Sequence, residues 1–235
     1  MLKEWVSDHT IFTKNPLYKS KLEEAIRTLE PPFEIIDLHG GKGLWNHNGM
    51  TVEGLSLISL DVLNERCNGE WQYTVLEKNF KTYRELHKNI RIKCKNGGVI
   101  PSNIEVLRAN SSNGIVDEIF DKSNVNGIIV ADPCIKHDYW DNLSILSKKR
   151  KNMDIFLHFS AADRKRPGYF NDIPIEIVNK KYCFLYMDTK YNKYKQWVFL
   201  YFCNKKNHVP TYEHFYPLES EQGQEILYKI NNTAA

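Results

Sequence analysis

The sequence predicts an α/β fold: a doubly wound, mostly parallel seven-stranded sheet with an antiparallel hairpin at its C-terminal end. Three observations carry that reading. Five short apolar runs alternate with segments of helical period through the first two thirds of the 235 residues. Two β-rich runs then follow with no helix between them, the mark of a hairpin. No repeat, low-complexity tract or Pro/Gly/Ser linker divides the chain. It reads as a single domain with an N-terminal helical segment (1–32), a core (33–205) and a C-terminal extension (206–235).

The elements follow in order. Lys19 to Leu29 carries Leu22, Ala25, Ile26 and Leu29 on one side and stops at Pro31-Pro32, which predicts a helix. Phe33 to Leu38 is a first strand ending at a glycine cluster. Thr51 to Arg66 places Val52, Leu55, Ile58 and Leu63 at helical spacing, and Tyr73 to Leu76 is a second strand. Phe80, Tyr83, Leu86 and Ile90 form the apolar stripe of a helix with Asn79 as its N-cap. Ile104–Leu107 and Asn126–Ala131 are the third and fourth strands, the fourth apolar enough to be covered on both faces. Tyr139 to Lys149 is helical and Asp154–Phe159 is the fifth strand. Tyr182–Met187 and Gln196–Phe202 make the hairpin, and Glu219 to Ile230 closes the chain as a helix.

Composition narrows the function. With 42% hydrophobic and 26% charged residues the chain builds a core and is not a disordered tail. A net charge of +3 neither demands nor forbids nucleic acid, because the placement of basic groups matters more than their total. No apolar run reaches the roughly 18 residues of a membrane span, and the start lacks the apolar stretch of a secretory signal. The five cysteines are scattered without a CxxC pair, which argues against a disulfide framework or structural zinc and for a reducing, cytoplasmic setting. His137, His158, His208 and His214 match no metal-ligand spacing, so no metal is expected.

Three segments carry chemistry. Asp37-Leu-His-Gly-Gly-Lys-Gly43 ends the first strand in an acid and a glycine loop that lets backbone approach a nucleotide-like ligand. It is neither the dinucleotide nor the P-loop fingerprint, and it also fits a tight turn with no ligand. Glu77 follows the second strand, where a carboxylate accepts two hydrogen bonds from vicinal ribose hydroxyls; it also suits the start of a helix. Asp132-Pro-Cys134 follows the most apolar strand, at the edge where open α/β sheets bind ligands.

Together, Asp37-x-x-x-Gly-x-Gly43, Glu77 and Asp132-Pro133 resemble motifs I, II and IV of class I S-adenosylmethionine-dependent methyltransferases, whose sheet is Rossmann-like. The likeness spans about residues 33 to 205. It is narrowest toward the three-Cys-motif partner family, through Glu77-Lys78, Asp132-Pro133 and Asp154-Ile-Phe-Leu-His-Phe-Ser160 with Arg164 close behind. His39-Gly40 within the loop and Asn110, where an acid often meets adenine, depart from the pattern. The resemblance implies S-adenosyl-L-methionine as cofactor. It would be held by Asp37, His39, Gly41 and Gly43 at the methionine part, Glu77 at the ribose and Asn110 at the adenine edge. Asp132, Pro133 and Cys134 would face the transferred methyl.

The acceptor has its own signals. Amino-methylating enzymes often carry [DNS]-P-P-[YFW] here, the aromatic stacking on a flipped base. This chain has Asp132-Pro-Cys-Ile135, with Tyr139 or Trp140 to supply the stack, although both also suit the core of the following helix. Pro133-Cys134 also resembles cytosine-C5 methyltransferases, where a thiolate attacks the ring, while buried cysteine is equally at home as a small hydrophobe. Basic groups at 148–151, Arg164-Lys165-Arg166, 180–181, 190–195 and 205–206 gather toward the expected ligand edge and beyond, interleaved with tyrosines. That pattern points to DNA or RNA. The expectation is a methyltransferase acting on nucleic acid at an exocyclic base nitrogen. The alternatives are a degenerate methyltransferase-like subunit working with a partner protein in a defence or repair system, pyrimidine C5 methylation through Cys134, and methylation of a small molecule or protein.

Overall fold

The computed structural model describes residues 8–47, 49–66, 70–94, 99–110, 125–132, 138–160, 174–187, 197–205, 208 and 215–232. The helices are α1 (Asp8–Ile26), α2 (Leu55–Arg66), α3 (Phe80–Lys93), α4 (Asp138–Lys149) and α5 (Glu221–Asn232). The strands are β1 (Phe33–Asp37), β2 (Leu44–His47), β3 (Met50–Glu53), β4 (Trp71–Leu76), β5 (Ile104–Leu107), β6 (Asn126–Ala131), β7 (Met153–Ser160), β8 (Tyr182–Met187), β9 (Trp197–Cys203) and β10 (Tyr216–Pro217).

Eight strands form one sheet in the order β10-β8-β9-β7-β6-β1-β4-β5. The five strands β7-β6-β1-β4-β5 are parallel, while β9 enters antiparallel between β7 and β8. All seven expected strands are present, and β10 adds a two-residue eighth. The chain runs outward from β1 through β4 to β5, then returns to the other side of β1 as β6. That reversal makes the β1–β6 boundary the switch point at which open sheets bind ligands.

Alternation along the central strands divides the core in two. Ile35, Val75, Ile128 and Val130 face one layer with Leu22 of α1, Leu57 of α2 and Leu86 of α3. Ile36, Ile129, Ala131 and Leu157 face the other, with Trp140 of α4 and Ile226 and Ile230 of α5. All five residues of β1 are buried, the burial expected of a strand with helices on both faces. Gly127 fits β6 closely against β1: a Cβ there would lie 2.0 Å from the Glu34 carbonyl oxygen.

Two local readings change and a third holds. Thr51–Glu53 is not helical, because Met50–Glu53 pairs with Leu44–His47 as a separate antiparallel ribbon, and α2 begins after Gly54. Val52 stands three residues before Leu55, which mimics a helical period across a strand end. Helix α1 begins at Asp8, eleven residues before the expected start at Lys19, and ends at Ile26, with Thr28 and Leu29 in a terminal turn. Asn79 caps α3 as expected, its side chain accepting from Thr82 N–H at 3.1 Å.

Candidate functional site

The parallel register puts the ends of β1, β4 and β6 side by side, with Asp37 beside Val75 and Val130. The glycine loop that follows β1 is pinned at nearly every residue. Leu38 N–H donates to the Val130 carbonyl (3.0 Å) and Gly40 N–H to that of Leu76 (2.8 Å). Gly41 N–H donates to Glu77 Oε2 (3.1 Å) and Gly54 N–H to the Gly43 carbonyl (2.6 Å). Asn89 of α3 holds the Lys42 carbonyl (2.8 Å) and Ser56 of α2 that of Gly40 (2.9 Å). Gly41 (φ 60°) and Gly43 (φ 77°) adopt the left-handed backbone that favours glycine. Gly40 has another reason to lack a side chain: a Cβ would lie 2.5 Å from Leu86 and 2.6 Å from Val75.

Two acids brace this loop from below. Glu77 spans it and the start of α3, accepting from Gly41 N–H with one oxygen and from Asn79 N–H (2.7 Å) with the other. Asp37 is 2% exposed and accepts from His39 N–H (2.9 Å) and the Tyr73 hydroxyl (3.1 Å). A carboxylate offers about four lone-pair sites, so two donors leave each acid capacity for a ligand. Glu77 N–H donates to the Leu107 carbonyl (3.0 Å), which ties the β4 tip to the β5 tip leading to Asn110. Half-exposed Glu77 and the left-handed Gly41 and Gly43 therefore share one edge of the sheet, where a carboxylate with acceptor capacity stands beside closely approachable backbone.

Burial sets the charges here. It pushes the Asp37 carboxyl up from 3.8 to about 6, against the lowering effect of its two hydrogen bonds. Burial also lowers His39 from 6.5 to about 4, so that ring is neutral at pH 7. The two act oppositely on stability. The folded state holds the Asp37 proton more tightly than the unfolded chain, so this stabilisation is full below about pH 4 and is lost as pH rises through 6. Half-buried His39 contributes above about pH 6.5 and loses its contribution as pH falls toward 4. Asp37→Asn keeps an oxygen for His39 N–H and gives its NH2 to the Tyr73 hydroxyl, which also bonds the Ser56 carbonyl. This variant is expected to gain up to about 3 kcal/mol at pH 8 and little at pH 4, read from paired thermal melts.

Across the switch point, Asp132 follows β6 and its Oδ1 lies 3.0 Å from Nδ1 of His158 on β7. Ala131 pairs with Leu157, so the next residue on each strand is one of the pair. Asp132 is 27% exposed at its side chain and His158 fully buried, with Phe199 at 4.5 Å between ring centroids and Tyr18 of α1 at 6.2 Å. From the sequence His158 stands out only among candidate metal ligands, and its spacing rejects that role. Its signal lay in the alternation of Asp154-Ile-Phe-Leu-His-Phe-Ser160, which puts a lone imidazole in an apolar strand beside the Asp132 end. His208 likewise pairs with a carboxylate, Asp154 (2.8 Å), which also accepts from the Tyr201 hydroxyl (2.6 Å). No group of residues suited to a metal ion occurs among the described residues.

Pro133, Cys134, Arg164, Lys165, Arg166 and the side chain of Tyr139 lie outside the described residues. Trp140 is 1% exposed and belongs to the core, not to an acceptor pocket. Of the basic clusters expected toward the ligand edge and beyond it, several lie at the amino ends of the parallel strands, away from that edge. Lys148 and Lys149 end α4 where β7 begins, and Arg150 is buried. Lys180 donates to the Arg150 and Lys151 carbonyls, and burial lowers it to about 8. A shallow groove of about 450 Å³, lined by Pro32, Trp71 and Asn103 among others, also sits at those amino ends and not beside the glycine loop.

No family model matches the chain, and no curated protein sequence does. Solved structures match its fold. A Legionella pneumophila protein carrying the DUF519 family model superposes with a TM-score of 0.54 at 9% identity, over 94% of this chain and 92% of that one. The METTL16 methyltransferase domain gives 0.54 at 9% identity, over 86% and 70%. An rRNA methylase from Streptococcus thermophilus gives 0.50 at 9%, over 81% and 97%. The chain has the class I methyltransferase fold.

Proposed function

From that fold, we propose that the chain is an S-adenosylmethionine-dependent methyltransferase acting on nucleic acid, at an exocyclic base nitrogen. The observation that carries the reading is the bond from Gly41 N–H to Glu77: a ribose-suited carboxylate locked to a glycine loop beside the switch point, with Asp132 on its far side. The narrower likeness to the three-Cys-motif partner family rests on sequence motifs alone.

In this reading Glu77 accepts from the ribose hydroxyls and Asn110 meets the adenine edge. Gly41 and Gly43 let the loop pass the methionine part closely, and Asp37 bonds its amino group through water. S-adenosylmethionine supplies an electrophilic methyl carbon when bound. Asp132, steadied by His158, accepts a hydrogen bond from the acceptor NH2 and turns the nitrogen lone pair toward the methyl. It then receives the proton that the nitrogen sheds. Nucleic acid is favoured as acceptor by the basic and aromatic content of the C-terminal half.

Calorimetry with S-adenosylmethionine or its demethylated product tests the cofactor half. Glu77→Ala is expected to weaken binding about ten- to a hundredfold, since one charge-assisted site is worth roughly 1.5–3 kcal/mol. No binding by the unaltered chain sinks the enzyme reading. The second reading, a degenerate subunit that binds nucleic acid or a partner protein, is favoured by one fact: Asp132-Pro133 is followed by Cys134-Ile135, without the second proline and the aromatic of the amino-methylating motif.

A further inference from the structure

Helix α3 buries Leu86 and Ile90. At about 100° per residue, Lys81, Arg84, Lys88 and Arg91 fall within an arc of roughly 80° on the opposite side. All four are exposed, and Glu85 is the helix's single carboxylate. Lys93, two residues after Arg91 and on the other side of the helix, is neutralised by Glu53 (2.5 Å) and Asp61 (2.7 Å). Among the described residues no carboxylate pairs with Lys81, Arg84, Lys88 or Arg108.

At the head of this stripe stands Phe80, 53% exposed. The Arg84 guanidinium lies 5.7 Å from its ring centroid, and that of Arg108, from the segment after β5, lies 5.1 Å away. Two elements thus bring cations to one phenyl ring that is still half exposed. Guanidinium groups bond phosphate oxygens in pairs, and an aromatic ring stacks an unpaired base but finds none to reach in a duplex. Phe80 follows Glu77 by three residues and Arg108 precedes Asn110 by two, so the feature adjoins the adenosine edge. At 1.5 Å per residue the stripe runs about 15 Å from there.

We propose that the outer face of α3, from Phe80 and Arg108 to Arg91, is a track for single-stranded nucleic acid. It places the strand on a shoulder of the sheet different from the C-terminal clusters. The inference rests on nucleic acid being the acceptor, and it is measured without methyl transfer.

Fluorescence anisotropy with labelled oligouridylate, oligodeoxythymidylate and an RNA duplex tests it. Phe80→Ala weakens single-strand binding about 5- to 150-fold and leaves the duplex unchanged. Lys81→Ala, Arg84→Ala and Lys88→Ala combined lower the slope of log affinity against log salt by about 2, at roughly 0.7 per phosphate contact. Tighter binding of either sugar type upholds the track and names its polymer. Melting temperatures matching the unaltered chain show that the surface variants are folded. Binding that is unchanged in both variants overturns the track and leaves the acceptor reading standing; no binding by the unaltered chain overturns both. Displacement by poly-glutamate as readily as by unlabelled RNA assigns the face to an acidic protein and overturns the proposal.

Discussion

Asp132→Ala is expected to cut methyl transfer by about 10²–10⁴-fold while leaving cofactor affinity nearly unchanged. The carboxylate stands across the switch point from the glycine loop, held by a buried imidazole at 3.0 Å, and in the proposed site it is the acceptor rather than the cofactor that it would meet. His158→Asn moves rate in the same direction by less, because the acid stays but loses its fixed orientation. Transfer of labelled methyl to pools of cellular DNA and RNA reads both. The thiolate route weights the residues in reverse. Cys134→Ala would then be inactive instead of costing about 1 kcal/mol of packing, and 5-fluorocytosine in the substrate would trap a covalent adduct. A chain that binds the cofactor but labels neither pool acts on some other acceptor class.

The largest expected effect on stability belongs to Gly127→Ala. The added carbon would meet the Glu34 carbonyl at 2.0 Å, and backbone on a central strand has nowhere to move. A loss above about 4 kcal/mol follows, a large share of a typical domain's stability. Urea unfolding, or failure to recover soluble protein, reads it. A melting point within a few degrees of the native chain would contradict the β1–β6 register, and with it the place of the site.

The strands and their mostly parallel pairing were legible because apolar runs such as Asn126–Ala131 have few other ways to be buried, and because parallel strands require crossovers. Glu77 and the glycine loop were legible for the same local reason: each sits at the end of a recognisable strand. What escaped depends on partners distant in sequence. The His158–Asp132 contact joins residues 26 apart through the β6–β7 register, which no local pattern encodes. Tyr73 beneath Asp37 counted only as a strand residue, yet its hydroxyl spans 36 positions to hold that acid. The side on which the basic groups at 148–151 and 180 stand was not legible, because charge runs do not say which end of the sheet their helix reaches. The β2–β3 ribbon and β10 are too short for periodicity to distinguish from the elements beside them.

The two-residue β10 has a further consequence, for how copies of the chain meet one another. An unpaired sheet edge is a template on which another extended chain can grow, and long parallel sheets are most exposed to this while they fold. Here Tyr216 and Pro217 cap β8 opposite Leu185 and Phe184, and a proline has no N–H to offer a newcomer. At the far edge β5 is four residues long and turns Glu105 outward. Among the described residues the sheet thus ends on one side in a proline-bearing two-residue strand and on the other in a short strand with an outward glutamate, features that work against edge-to-edge growth.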